Sequence, residues 1–283
     1  MIARRMCSVR YVALVLSAVA LIITASSLRA SAFTFTTIDV PGATATEAFG
    51  INAAGDIVGF FTNASGAHGF LLSRGVFTTI DVPGATAAVA FGVNAAGDIV
   101  GFFTDASSAH GFLLSRSVFT TIDVPGALLT EAFGVNAAGD IVGGFINASD
   151  THGFLLRRGV FTTIDVPGAT ATEAVGINAA GDIVGAFSDA SGVHGFLLSR
   201  GVFTTIDVPG ALQTDAVGIN AAGDIVGFFT NASGAHGFLL SRGVFTTIDV
   251  PGATATEAVG INAAGDIVGA FADASGIHGF LAE

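Results

Sequence analysis

The hydrophobic pattern of the chain changes once, near residue 32, and from there on it recurs. After Phe33, short runs rich in Val, Ile, Phe and Thr alternate with groups of Gly, Asn, Asp, Pro and Ser; apolar runs bounded by turn residues predict β-strands. Set in rows of 42, the chain aligns Pro41, Pro83, Pro125, Pro167, Pro209 and Pro251, and equally His68, His110, His152, His194, His236 and His278, without a slip. The unit starting at Glu47 predicts four strands: a (Glu47 to Asn52), b (Asp56 to Thr62), c (His68 to Ser73) and d (Val76 to Val82). The connections AAG, NASGA and RG are of hairpin length. The link PGATAA carries a proline that cannot donate to a ladder, so it reads as the crossover to the next sheet.

Strands such as DIVGFFT and HGFLLS are apolar on both faces, so each sheet needs cover on both sides. Blades standing radially around an axis provide it. Gly50, Gly59 and Gly69 leave room for close sheet approach or mark bulges. Strand d occurs first at Thr34 to Val40, and the chain ends after strand c, at His278 to Glu283. A ring closed by the N-terminal strand completing the last blade leaves nothing unpaired, whereas an open solenoid needs polar caps. The expected fold is therefore all-β, a six-bladed β-propeller of 42-residue four-stranded repeats, in one domain over residues 33–283. A membrane barrel needs longer strands of strict alternation; two fused β-trefoils or another closed or stacked β array stay open as alternatives.

The first 32 residues alter the picture of where the protein resides. Arg4, Arg5 and Arg10 precede an apolar stretch from Tyr11 to Thr24, and Ala30-Ser31-Ala32 forms a small-residue cleavage site: the features of a secretory signal peptide. The expected mature protein starts at Phe33, is secreted to the extracellular or periplasmic space, and has no transmembrane segment. Without Arg4, Arg5, Arg10 and Arg29 it keeps six arginines against 22 acidic residues, a formal charge near −16. Nucleic acids and anionic membranes, which are bound through dense basic contacts, are then poor partners. The expectation is a monomer binding an extracellular protein or small ligand, cationic for preference. Cys7, Tyr11 and the leader go together, so no disulfide holds the fold.

The pattern G-I/V-N-x-x-G-x-I-V-G, then H-x-F-L, then D-x-P-G, resembles the bacterial extracellular repeats of the HAF family, named for a His-Ala-Phe triplet. Here the triplet reads His68-Gly69-Phe70 and its equivalents, with Gly for Ala in all six units. The resemblance covers residues 33–283 and implies secretion and a bacterial source. It implies no activity and no catalytic residues.

The histidines open strand c, away from the axis, where six-fold placement spreads them instead of converging them on a metal; each is expected to hydrogen-bond a neighbouring turn or blade. Neither D-V-P-G nor A-A-G-D supplies the dense oxygen ligands of a calcium loop. Asp56 and Arg74, with their equivalents, fall at one end of the ring and invite a repeated Asp–Arg pairing. The N-A-S sequons at Asn63, Asn147 and Asn231 read as turn chemistry. The start of the innermost strand reads Glu47, Val89, Glu131, Glu173, Asp215 and Glu257. Those five carboxylates would surround one mouth of the central channel, either as a solvated rim or as a site for a cation or basic ligand; calcium is the one cofactor they would suit.

Catalysis needs a singular arrangement of unlike groups, and repetition offers six copies of one. The departures from the repeat, Val89, Leu128-Leu129, Asp150, Arg157 and Leu212-Gln213, look scattered along the chain. The expectation is a non-enzymatic binding or scaffolding protein. The alternative is a metal-assisted extracellular hydrolase or lyase using the channel mouth.

Overall fold

Twenty-four strands and no helix make up the computed structural model, which describes residues 33–148 and 150–283; the expected leader, residues 1–32, lies outside them. Strand β1 (Phe35–Ile38) precedes the first unit, β2 (Ala45–Ile51), β3 (Ile57–Asn63), β4 (Gly66–Ser73) and β5 (Val76–Ile80). The second unit holds β6 (Ala87–Val93), β7 (Ile99–Thr104), β8 (Ala109–Ser115) and β9 (Val118–Ile122). The third holds β10 (Leu129–Val135), β11 (Ile141–Ile146), β12 (Thr151–Arg157) and β13 (Val160–Ile164). The fourth holds β14 (Ala171–Ile177), β15 (Ile183–Ser188), β16 (Val193–Ser199) and β17 (Val202–Ile206). The fifth holds β18 (Gln213–Ile219), β19 (Ile225–Asn231), β20 (Gly234–Ser241) and β21 (Val244–Ile248). The chain ends with β22 (Ala255–Ile261), β23 (Ile267–Ala272) and β24 (Ile277–Ala282). No helix among the described residues is long and apolar enough to cross a membrane.

Within each unit the strands pair in chain order and antiparallel. The inner strand starts two residues earlier than its sequence indicates, because the Thr44 amide already bonds the Thr62 carbonyl (2.7 Å). The outer strand ends at Ile80, since Asp81 turns aside to meet His68 (2.8 Å). The crossover begins with a type II turn: the Ala43 amide bonds the Val40 carbonyl (3.0 Å) across Pro41 and Gly42, whose φ of 83° only glycine takes readily. At the a–b hairpin, Asn52 Oδ1 accepts from the amides of Ala54 (2.9 Å) and Asp56 (3.0 Å).

No sheet closes on itself. Three sheets have four strands each, and the third, fourth and fifth units join into one of twelve through the single parallel pairs Thr151↔Ala171 and Val193↔Gln213. Between units the contact is mainly side chain on side chain. Val58, Ile80 and Val82 of the first unit pack on Ala88, Ala90, Ile99 and Phe112 of the second. Val268 and Ile38 pack in the same manner on Ala48, Ile57 and Phe70, so the last unit meets the first as the others meet each other. Strand β1 pairs with β24, from Phe35↔Ala282 to Ile38↔Gly279. Each hairpin asparagine also donates from Nδ2 to the carbonyl of the next one: Asn52 to Asn94 (3.2 Å), and so on to Asn262, which bonds Asn52 (3.4 Å).

Candidate functional site at the axis

The inner strands carry their first axial residue to a fixed height. Thr46, buried, accepts on Oγ1 from the Val40 amide (3.1 Å), which ties the crossover to the strand start; Thr130, Thr172, Thr214 and Thr256 do the same. The next residue is then Glu47, Val89, Glu131, Glu173, Asp215 or Glu257. Two positions on, Phe49, Phe91, Phe133, Val175, Val217 and Val259 from all six units pack into one buried cluster with Phe60 and Val89. The axis is filled at that layer. Phe49 stacks on Phe91 (4.6 Å, 5°), and Phe133 meets Phe91 edge-on (5.0 Å, 74°). Beyond it, at the hairpin end, lies a recess of about 90 Å³ lined by Gly50, Ile51 and their equivalents.

The carboxylates open the inner strands above this layer, where the expected channel is filled, and they are not an ordinary wet rim. Glu47 and Glu131 are each 3 % exposed; Glu173, Asp215 and Glu257 are half-buried. Burial pushes the Glu47 carboxyl up to about 8, with the charge of Glu257 adding to it. Burial likewise raises Glu257 to about 7, with Asp215 contributing. Carboxyls so tuned are suited to exchanging protons near neutrality. Among the described residues no three His, Cys, Asp or Glu side chains are arranged to hold a metal ion.

The departures named from the sequence lie apart, Leu128 and Leu212 exposed and Arg157 on the hairpin aspartate Asp140, but Val89 belongs to a second set of differences that gathers at the axis. In the register of the innermost pair, the residues facing the first axial position are Phe60, Phe102, Gly144, Ala186, Phe228 and Ala270. Phe60 stacks on Phe49 (5.6 Å) and Phe102 on Phe91 (5.8 Å). An added Cβ on Gly144 would touch Phe133 and Glu173, which locates this position between its own unit's floor residue and the next unit's carboxylate. Three variable positions of the repeat thus converge on one place at the axis. Phe49, Phe60, Val89, Phe91 and Phe102 make one side aromatic and closed. Opposite Glu131, Glu173 and Glu257 the facing residues are small, Gly144, Ala186 and Ala270, while Phe228 faces Asp215. Part of the signal was in the sequence, as variation at three columns among others of the 42-residue rows, but the columns are separated along the chain and only the register brings them together.

The histidines lie in the outer part of each unit. His68 Nδ1 meets Asp81 (2.8 Å), Nε2 meets Ser65 Oγ (2.8 Å), and the ring stacks on Phe61 (5.3 Å). The equivalents of Asp81 include Asp39, which takes His278 Nδ1 (2.9 Å) and so fastens β1. The order Ser, His, Asp is that of a hydrolase triad, but Ser65 Oγ donates to Asn63 Oδ1 (2.6 Å), so the single hydroxyl proton already serves the turn. The expected repeated Asp–Arg pairing is not found. The one Asp–Arg ion pair among the described residues is Asp140 with Arg157 (2.8 Å), and in two units the residue equivalent to Arg157 is a serine that donates to the hairpin aspartate, Ser199 to Asp182 and Ser241 to Asp224 (both 2.6 Å).

A direct consequence concerns pH. Between about 4.5 and 8 the folded chain holds more protons at Glu47 than the unfolded chain, so stability falls as pH rises through that window. Glu47→Gln removes the buried charge, and above pH 8 it is expected to stabilise the protein by about 2–4 kcal/mol, read from urea midpoints at pH 5 and pH 8.5. An equal effect at the two pH values would show that Glu47 is not held protonated.

No protein-family model and no curated protein matches the sequence. Solved structures do. A streptogramin B lyase superposes with a TM-score of 0.51 at 17 % identity, covering 89 % of this chain and 98 % of its own. A putative gluconolactonase gives 0.54 at 12 %, covering 89 % and 93 %. The β-propeller domain of the Trilobed protease from Pyrococcus furiosus, described as having an open velcro topology, gives 0.51 at 9 %, covering 85 % and 94 %. The fold is β-propeller-like. The expectation that the chain is no enzyme is corrected at the same time: this fold is shared with a lyase and a putative gluconolactonase, and the axial departures remove the ground on which repetition argued against catalysis.

Proposed function

We propose that the chain is an exported six-bladed β-propeller, its ring completed by β1, and that its axial carboxylate cluster is the active site of a hydrolase or lyase acting on a small ligand. The observation that carries this reading is the adjoining pair Glu47 and Glu257 on neighbouring inner strands, both raised by burial, beside the aromatic cluster of Phe49, Phe60, Phe91 and Phe102. Closure is supported by the β1–β24 ladder, by Val268 and Ile38 packing on the first unit, and by the Asn262–Asn52 hydrogen bond.

In this reading the ionised partner takes a proton from water as its oxygen adds to an ester or lactone carbonyl. The protonated partner, Glu47 or Glu257, gives its proton to the leaving oxygen as the C–O bond breaks. One water is consumed and the two carboxyls exchange protonation states, which solvent restores. For a lyase the same pair removes a proton beside the breaking bond and returns one to the leaving group. Phe60 and Phe102 hold the apolar part of the ligand, and the acidic wall favours ligands carrying a cationic or proton-donating group.

The test follows the fold neighbours' substrates. Ring opening of glucono-lactone, followed as base uptake, and loss of streptogramin B, followed by chromatography, are measured against the uncatalysed rates. At least one is expected to be accelerated, and Glu47→Gln with Glu257→Gln is expected to lower it by roughly 10²-fold or more, while Glu283→Gln leaves it unchanged. Acceleration untouched by the axial substitutions would move the active site elsewhere, and no acceleration of either substrate would remove the support for this reading.

A further inference from the structure

The described residues contain no lysine and six arginines, and five of these, Arg74, Arg116, Arg158, Arg200 and Arg242, occupy one position of the turn between the two outermost strands. Each has φ between 49° and 51°, in the left-handed region that Asn, Asp and Gly tolerate and longer side chains avoid. With a second residue at positive φ after it, the turn is of the I′ type, whose preferred first residue is Asn, Asp or Gly. Local conformation therefore does not account for arginine. Nor does pairing: all five are exposed, none forms an ion pair among the described residues, and Arg158 adds its charge to a carboxylate already paired with another arginine, Asp140.

Neighbouring positions have drifted between units. Ser73 has become Arg157 in the third, and Gly75 has become Ser117 in the second. The arginine has not changed in any of the five. A side chain kept against its backbone preference, with no ion pair of its own inside the molecule, is explained by a contact outside it.

These turns share the end of the molecule with the a–b hairpins, opposite the axial carboxylates, because adjacent strands run antiparallel. Two residues after each arginine stands an exposed valine, Val76, Val118, Val160, Val202 or Val244, 62–64 % accessible. Between the third and fourth units the same end has a cleft of about 550 Å³ lined by Leu155, Arg157, Asp182, Leu198, Ser199 and Arg200.

We propose that this arginine rim binds an acidic polysaccharide, each guanidinium taking a carboxylate of a uronate residue. The planar guanidinium matches a carboxylate two-pronged. The cations come singly, one to a unit, and inward of them on the same end lie the hairpin carboxylates Asp56, Asp98, Asp140, Asp182, Asp224 and Asp266. A nucleic acid, with a charge every ~1.7 Å, or an anionic membrane would press its negative charge onto those carboxylates. A polyuronate spaces its charges by whole sugar rings, and the C–H faces of those rings suit the exposed valines.

The experiment is retention of the protein on immobilised polygalacturonate, with neutral dextran as the blank and with duplex DNA and phosphatidylglycerol vesicles as competing surfaces. Binding is expected on polygalacturonate alone, lost between roughly 50 and 300 mM salt. Replacing the five arginines by Asn, which suits the turn, is expected to leave the melting temperature at or above that of the unaltered protein and to weaken retention by roughly tenfold or more. Single and double replacements should lose it stepwise, so the result does not hang on one heavily altered variant. No retention at low salt, or retention unchanged by the Asn replacements, overturns the proposal. Equal or tighter binding to DNA or vesicles overturns the assignment to a polysaccharide.

Discussion

Deleting residues 33–40 lowers the melting temperature by roughly 10–20 °C, out of proportion to the eight residues removed. The segment supplies the fourth strand of the last unit, with Ile38 6 % exposed among Ala48, Ile57 and Phe70. Phe35 meets the fully buried Phe280 ring edge-on (5.7 Å, 69°), and Asp39 holds His278 (2.9 Å). Loss of a buried Ile side chain alone costs about 2–5 kcal/mol; with the ladder and the Phe35 contact the total comes to about 5 kcal/mol or more. The deletion also bares β24 as an unpaired edge, which favours association of chains. Moving the eight residues to follow Glu283 through an Arg-Gly turn, the connection used in four other units, restores the melting temperature. A deletion that left the melting temperature and the sedimentation behaviour unchanged would show that β1 does not complete the ring.

Two adjacent glycines are expected to give opposite results. A Cβ on Gly143 would fall on the Glu131 carbonyl oxygen and within 2.6–2.7 Å of the Phe154 ring. The carbonyl belongs to the bulge between Ala132 and Gly134 that seats the axial carboxylate, so the backbone cannot yield without displacing the strand. Gly143→Ala is expected to cost more than about 4 kcal/mol. At Gly144 the same atom meets Phe133 at 3.5 Å and Glu173 at 3.7 Å, ordinary contacts, and Ala186 and Ala270 already stand at its equivalents. Gly144→Ala is expected to change stability by less than about 1 kcal/mol, in the stabilising direction. Urea midpoints of the two variants decide it, and similar midpoints would contradict the strand register.

The strand content, the 42-residue unit and the pairing of the first strand with the last were legible because period and phase are properties of the chain alone. The boundaries slipped by up to two residues where a hydrogen bond from outside the strand, such as Thr44 to Thr62, extends the ladder. The carboxylates were legible as a column of acids, but not their burial. That depends on the stacked Phe49 and Phe91 and on Phe60, whose alignment with Glu47 arises only from the β2–β3 register. The bond from a histidine to a neighbouring turn was legible, as His68 to Ser65, while its aspartate partner was not, because Asp81 is reached by the chain doubling back through a hairpin. The Asp–Arg pairing failed for a local reason: the I′ turn leaves Arg74 exposed, and it is the preceding position that lies near the hairpin aspartate, as Arg157 does with Asp140.

The central claim is that proton-tuned carboxyls sit at the axis, and it has a direct measurement. Only five glutamates occur in the chain, Glu47, Glu131, Glu173, Glu257 and Glu283, so ¹³C labelling of glutamate δ-carboxyls gives five signals to titrate. The account predicts that at least two of them change shift only between about pH 6.5 and 8.5, that one of these vanishes in Glu47→Gln, and that in Glu257→Gln the Glu47 signal titrates lower because its neighbour's charge is gone. Five signals all titrating below about pH 5, the ordinary range for exposed glutamate, would contradict it.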